Sequence, residues 1–136
     1  DPDLDVITAA VKVLETLSHM HYWNVKLKKK ATKEEVLAAL KTSTRIHFIH
    51  YDQGLVSNNT IKEMYLDMGR PWGDMYEVAL WEDMLKVVGD ELFYAYVVDN
   101  QAIVIPETID AIRALTGIES DGQKSIVKTN KSLGIN

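Results

Sequence analysis

The chain has 136 residues, of which 46% are hydrophobic and 26% charged, a composition that excludes wholesale disorder. Its length supports one core, and its formal net charge of −5 argues against nucleic-acid binding through general charge attraction. The lack of cysteine excludes a disulfide framework, a thiolate zinc site and a cysteine nucleophile within these residues. No apolar run reaches the ~20 residues of a membrane span, so we expect a soluble, cytoplasmic protein without membrane insertion.

The N-terminal residues predict two strands. Residues Val6 to Leu14 are apolar and rich in β-branched side chains, which is typical of a mostly buried strand. Residues His19 to Leu27 alternate, so their odd-numbered side chains lie on one face of a strand and their even-numbered side chains on the other.

The next segments predict a helix, a strand and a second helix. Thr32 and Glu35 form a capping box, which indicates a helix from Lys33 to Lys41. A strand is predicted from Arg45 to Tyr51.

The second helix begins after Ser57 or Asn58 and ends at Gly69. Its predicted buried stripe consists of Ile61, Met64, Tyr65 and Met68.

Three strands follow a loop that contains Pro71 and Gly73. They are predicted at Met75 to Trp81, Met84 to Val88 and Glu91 to Val98. Gly89 and Asp90 favour a two-residue hairpin turn between the last two strands.

Two helices end the chain. Pro106 suits the first turn of the first helix, and a buried stripe is predicted there at Ile109, Ile112 and Leu115. Ser120 and Gln123 predict a second capping box, at the start of a helix that carries Ile126 and Leu133.

This order of elements lacks strict βαβ alternation. It predicts an α+β fold in which a largely antiparallel or mixed sheet is covered by helices, with residues 1–136 forming one domain.

His19 and His21 are the clearest candidates for chemistry. Two residues apart on a strand, they project from the same face, and imidazole exchanges protons near neutral pH. A pair of partly buried histidines satisfied by hydrogen bonds is the structural alternative. A metal site is a further alternative, but it needs another ligand, and His47 and His50 belong to a different segment.

The glycines make neither a G-x-G-x-x-G turn nor a P-loop. We therefore expect no self-contained dinucleotide site and no bound cofactor in this chain.

Several segments, in the same order along the chain, resemble one enzyme family. Residues Val104 to Ala114 and Lys128 to Ile135 resemble the ending of archaeal-type glyceraldehyde-3-phosphate dehydrogenases. Residues Tyr76 to Glu82 resemble the middle of those proteins, and Thr16 to His21 resembles their Thr-Leu-Met-His-x-His segment.

The resemblance implies the later part of a catalytic α+β domain, without the Rossmann domain that precedes it in the family. The family oxidises glyceraldehyde 3-phosphate with NAD or NADP through a cysteine thiohemiacetal. The resemblance implies that His19, or as a second choice His21, is the general base that takes the hydroxyl proton during hydride transfer.

Three hypotheses are open, and the first rests on departures from the family. The cysteine is missing, and Asp99 to Ala102 replaces a His-Gln-Glu-Ser stretch. The first hypothesis is a structural, assembly or regulatory subunit that binds a protein partner, or a second copy in a homo-oligomer, through Ile126, Asn130 and Leu133. The second is a segment of an active NAD- or NADP-dependent dehydrogenase with His19 as base, and the third is a small ligand- or metal-binding module.

Overall fold

The computed structural model describes residues 7, 9–11 and 18–135. The described part is α+β, as predicted, with a mixed sheet covered by helices. The strands are β1 (Ser18–Lys26), β2 (Ile46–Ile49), β3 (Val78–Trp81), β4 (Lys86–Val88) and β5 (Glu91–Asp99). The helices are α1 (Lys33–Leu40), α2 (Asn58–Asp67), α3 (Val104–Thr116) and α4 (Gly122–Leu133).

The sheet has the order β1-β5-β3-β2, and β4 also pairs with β5. Only the β2–β3 pair is parallel among the strand pairs of residues 18–135. The predicted hairpin between β4 and β5 is confirmed, and Gly89 turns it with a φ of 65°.

Local signals place α1 and α2 as predicted. The Thr32 hydroxyl accepts a hydrogen bond from the Glu35 backbone N–H at 3.2 Å, and the Thr32 N–H donates to the Glu35 carboxylate at 2.8 Å. Ser57 caps α2. These bonds satisfy backbone donors that have no partner within the helix.

The two faces of the sheet carry separate apolar clusters. The cluster under α2 contains Ile49, Ile61, Tyr65 and Trp81. The cluster on the other face contains Leu80 and Leu92, and α1 packs against it. Met68, predicted to join the α2 stripe, is instead half-exposed, because it lies beyond the last turn of that helix.

The predicted strand from Val6 to Leu14 is not formed at residues 7 and 9–11, which have no regular structure. Ile7 and Val11 are exposed, and none of the five strands pairs with these four residues. The rest of that prediction lies outside the described residues.

The predicted capping box of the last helix is wrong by one residue. Asp121, not Ser120, is the N-cap, and its carboxylate accepts hydrogen bonds from the N–H groups of Gln123 and Lys124. A carboxylate accepts both bonds and also complements the positive end of the helix dipole.

The predicted buried stripe of α3 is also wrong. Leu115 is 87% exposed and Ile112 is 52% exposed, while Ile109 is only partly buried. Helix α3 instead turns Pro106, Asp110 and Arg113 inwards, because the neighbouring helix α4 presents polar side chains to it.

Candidate functional site

The two histidines singled out in the sequence lie together on one face of β1. The ring centroids of His19 and His21 are 5.9 Å apart, in an edge-on arrangement. Their strand pairs antiparallel with β5, with His21 directly opposite Tyr96. The alternation of β1 therefore does bring both imidazoles to one place.

His21 lies within a row of aromatic side chains. Its ring stacks on Tyr96, with centroids 4.9 Å apart and planes 18° apart, and lies parallel to Trp23 at 6.3 Å. Tyr94 continues the row beside Tyr96. Such contacts between flat rings are favourable and stabilise this orientation of the imidazole.

The pKa of His21 lies below its usual value, because burial disfavours the charged form and His19 adds like-charge repulsion. His21 is therefore neutral at pH 7. His19 is exposed at the outer end of the row. Of the two, His19 is the one placed to exchange a proton with a molecule in solution.

The remaining histidines lie elsewhere. His47 Nδ1 is 3.0 Å from the Tyr65 hydroxyl on the α2 side of the sheet. His50 lies beside Asp83, with 3.8 Å between its Nδ1 and the carboxylate. Within residues 18–135 and the short described N-terminal stretch, no three His, Asp or Glu side chains are arranged to hold a metal ion.

A polar network joins α3 to α4. Asp110 of α3 accepts hydrogen bonds from the hydroxyls of Ser125 and Thr129 at 2.6 and 2.7 Å. It also forms ion pairs with Arg45 at 2.5 Å and Arg113 at 3.2 Å. The buried residues of α4 are thus polar, and their side chains are hydrogen-bonded.

The three residues predicted to bind a partner lie on or near this network. Asn130 is only 8% exposed, and its amide accepts a hydrogen bond from Arg45 and donates one to Thr44. Ile126 and Leu133 are partly buried. Their role in binding a partner stays a prediction.

Sequence reasoning missed the environment of Asp99. This carboxylate is buried, forms a 2.5 Å ion pair with Lys62 of α2, and accepts hydrogen bonds from the N–H groups of Gln101 and Ala102. The pKa of Asp99 is low because, although burial opposes ionisation, these bonds outweigh it. An aspartate followed by a turn is a local sequence signal for the hydrogen bonds from the Gln101 and Ala102 N–H groups. No local pattern predicts the ion pair with Lys62.

No helix in the part of the chain with described structure has the length and apolar character that crossing a bilayer requires.

Comparison with known proteins gives one consistent result, although no family model matches the chain. The chain is 40% identical over 134 residues to glyceraldehyde-3-phosphate dehydrogenase 2 of Methanosarcina acetivorans. It is 44% identical over 133 residues to the glyceraldehyde-3-phosphate dehydrogenase of Metallosphaera sedula. Each alignment covers 98% of this chain but 39% of the relative.

The glyceraldehyde-3-phosphate dehydrogenase of Methanopyrus kandleri matches to the same extent, at 40% identity over 98% of this chain and 38% of its own length. The chain therefore spans about two-fifths of the length of these relatives. Its sequence resembles the C-terminal portion of the archaeal glyceraldehyde-3-phosphate dehydrogenases.

Proposed function

We propose that this chain provides the C-terminal, histidine-bearing portion of an NAD- or NADP-dependent glyceraldehyde-3-phosphate dehydrogenase and does not catalyse the reaction alone. The observation that carries the proposal is the position of His19. It is exposed beside the aromatic row on β1, in a chain about 40% identical to these enzymes along nearly all of its length. Residues 1–136 would form one domain, partial relative to that family, of a cytoplasmic enzyme.

Other parts of the chemistry must come from residues outside this sequence. Covalent capture of an aldehyde needs a nucleophile, and the chain has no cysteine. Hydride transfer needs an oriented nicotinamide, which accepts the hydride when bound, and the sequence has no glycine-rich turn to hold a dinucleotide. The dinucleotide cofactor would therefore bind to a part of the enzyme that these residues do not supply.

His19 would act on protons. When a thiol adds to the aldehyde carbon, the carbonyl oxygen becomes a hydroxyl, and that hydroxyl must lose its proton as the hydride leaves the same carbon. An accessible imidazole accepts this proton as a general base, which typically contributes ~10²–10⁴-fold to the rate. His21, neutral and stacked, would keep the strand face in place beside it.

The test is a chimera in which this chain replaces the matching part of the Metallosphaera sedula relative. We expect turnover of glyceraldehyde 3-phosphate with phosphate and NAD or NADP, and a fall in kcat of ~10²–10⁴-fold in the His19→Gln variant. His50→Gln is the matched control, since His50 lies beside Asp83 and not on the β1 face. A folded, cofactor-binding chimera that keeps full activity after His19→Gln would contradict the proposal.

A second candidate is a structural, assembly or regulatory subunit, with a protein or a second copy as partner. The exposed apolar side chains of Ile112, Leu115, Ile118 and Val127 on and around α3 and α4 favour it. A chimera that folds and binds the cofactor but shows no turnover, together with stable oligomers of the isolated chain in sedimentation, would favour this candidate over the first.

A further inference from the structure

A cavity of about 410 Å³ lies beside α2. Its volume is in the range that holds a small organic molecule. It is lined by Lys62, Trp72, Asp74, Asp99, Gln101, Ala102 and Ile105.

Trp72 has an unusual backbone and an unusual exposure. Its φ is 58°, in the left-handed region that bulky residues avoid, and its side chain is 86% exposed. The strain of this conformation is therefore not offset by burial of the indole. Strained residues of this kind concentrate at sites that bind ligands.

The loop that carries Trp72 is fixed against α2. Gly73 packs so closely that a Cβ atom at this position would lie 2.9 Å from the Lys62 carbonyl oxygen. Gly73 also has a φ of 66°, so both reasons require glycine here. The backbone that carries Trp72 is thus held beside α2, and Trp72 lines the cavity.

The charges of the lining leave one carboxylate without a cation. Lys62 and Asp99 neutralise each other through their 2.5 Å ion pair. Asp74 accepts a hydrogen bond from the Tyr76 hydroxyl at 3.1 Å, and among the residues with described positions no Lys, Arg or His side chain forms an ion pair with it. Burial raises the pKa of Tyr76, and so does its hydrogen bond to Asp74.

We propose that this cavity binds a small organic cation whose ammonium or guanidinium group pairs with Asp74 and lies against the indole of Trp72. A cation over an indole face is attracted by the ring quadrupole, and tryptophan provides the strongest such attraction among side chains. An anion is disfavoured, because the lining carries one more carboxylate than ammonium groups and its only ammonium group is already paired. The wall formed by Ala102 and Ile105 accommodates a short alkyl chain.

The test is calorimetric titration of the full chain with butylguanidinium and butylammonium chloride at low ionic strength, followed in parallel by tryptophan fluorescence. We expect saturable binding with a change in fluorescence. Asp74→Asn and Trp72→Gly should each weaken binding about tenfold or more. Trp72→Gly should also abolish the fluorescence response.

Both variants are expected to fold, because asparagine is isosteric with aspartate and glycine adopts a φ of 58° freely. Circular dichroism checks this. Asp67→Asn is the matched control, since it removes an exposed carboxylate near the end of α2 that does not line the cavity. Binding should be unchanged in that control.

Butanol and inorganic phosphate serve as the uncharged and anionic probes, and we expect saturable binding from neither. Three outcomes would overturn the proposal: no saturable binding of either cation, cation binding that persists in both Asp74→Asn and Trp72→Gly, or saturable binding of phosphate in place of the cations.

Discussion

Helices α2 and α4 attach to the rest of the molecule by different chemistry. The inward residues of α2 are Ile61 and Tyr65, which are fully buried in the apolar cluster on one face of the sheet. The buried residues of α4 are Ser125, Thr129 and Asn130, which are buried to a similar degree but hydrogen-bond to polar partners.

The C-terminal end of α4 is also attached through polar groups. Arg70 donates a hydrogen bond to the Gly134 carbonyl at 3.1 Å while it holds Glu77 in a bidentate ion pair at 2.5 Å. Its guanidinium also lies 5.1 Å from the ring centroids of Tyr65 and Tyr76. An apolar contact tolerates small changes, whereas a buried polar contact depends on every partner being present. The comparison therefore predicts different responses to substitution, pH and salt.

The largest effect is expected at Arg70. Arg70→Ala leaves the buried Glu77 carboxylate unpaired and frees the Gly134 carbonyl, which should lower the free energy of unfolding by about 3–5 kcal/mol. Urea unfolding measures this loss in the free energy of unfolding. The double variant Arg70→Met, Glu77→Leu should lose less than Arg70→Ala, because no unpaired charge remains.

The control for this prediction is Lys124→Ala, which removes a 3.8 Å surface ion pair with Asp121 and should cost less than about 1 kcal/mol. If Arg70→Ala and Lys124→Ala lowered the free energy of unfolding equally, the ion pair at Arg70 would be no stronger than a surface contact.

The next effect concerns the apolar attachment of α2. Ile61→Ala should cost about 2–5 kcal/mol, because it leaves a cavity in a fully buried cluster, and Ile61→Val should cost about 1 kcal/mol. The loss should be the same at low and high salt, since no charge is involved. A strong salt dependence of the Ile61→Ala loss in urea unfolding would contradict the contrast between the two helices.

The smallest of these effects is expected at Asp110. Asp110→Asn weakens charge-assisted hydrogen bonds to α4 and should cost about 2 kcal/mol at pH 7. Burial acts to raise the pKa of Asp110, but the hydrogen bonds from Ser125, Thr129 and Arg45 outweigh it and hold the pKa below its usual value. Because the folded-state pKa is depressed, this contribution is present at neutral pH and is lost as the pH falls below about 4.

Urea unfolding at several pH values between 7 and 3 tests this sign. The difference between the parent protein and Asp110→Asn should shrink as the pH falls through that window. A difference that stays constant down to pH 3 would show that the charge of Asp110 does not stabilise the attachment of α4.

Local patterns were sufficient for the elements whose interactions are close in sequence. The α1 capping box involves Thr32 and Glu35, and the β4–β5 hairpin depends on Gly89 and Asp90. The alternation of β1 placed His19 and His21 on one face because the side-chain period of a strand is two. The α3 stripe failed because apolar spacing shows which residues share a face, not what that face meets.

The sequence by itself determined the α+β fold class, most element positions, the paired histidines and the lack of a thiol nucleophile, because each depends on composition or on neighbours a few residues away. Only the tertiary structure decided that α4 attaches through polar groups, that Arg70 reaches Gly134 across 64 positions, and that Lys62 pairs with Asp99 across 37. These contacts join residues that no local periodicity relates. Their energies depend on burial, which exists only once the chain has folded.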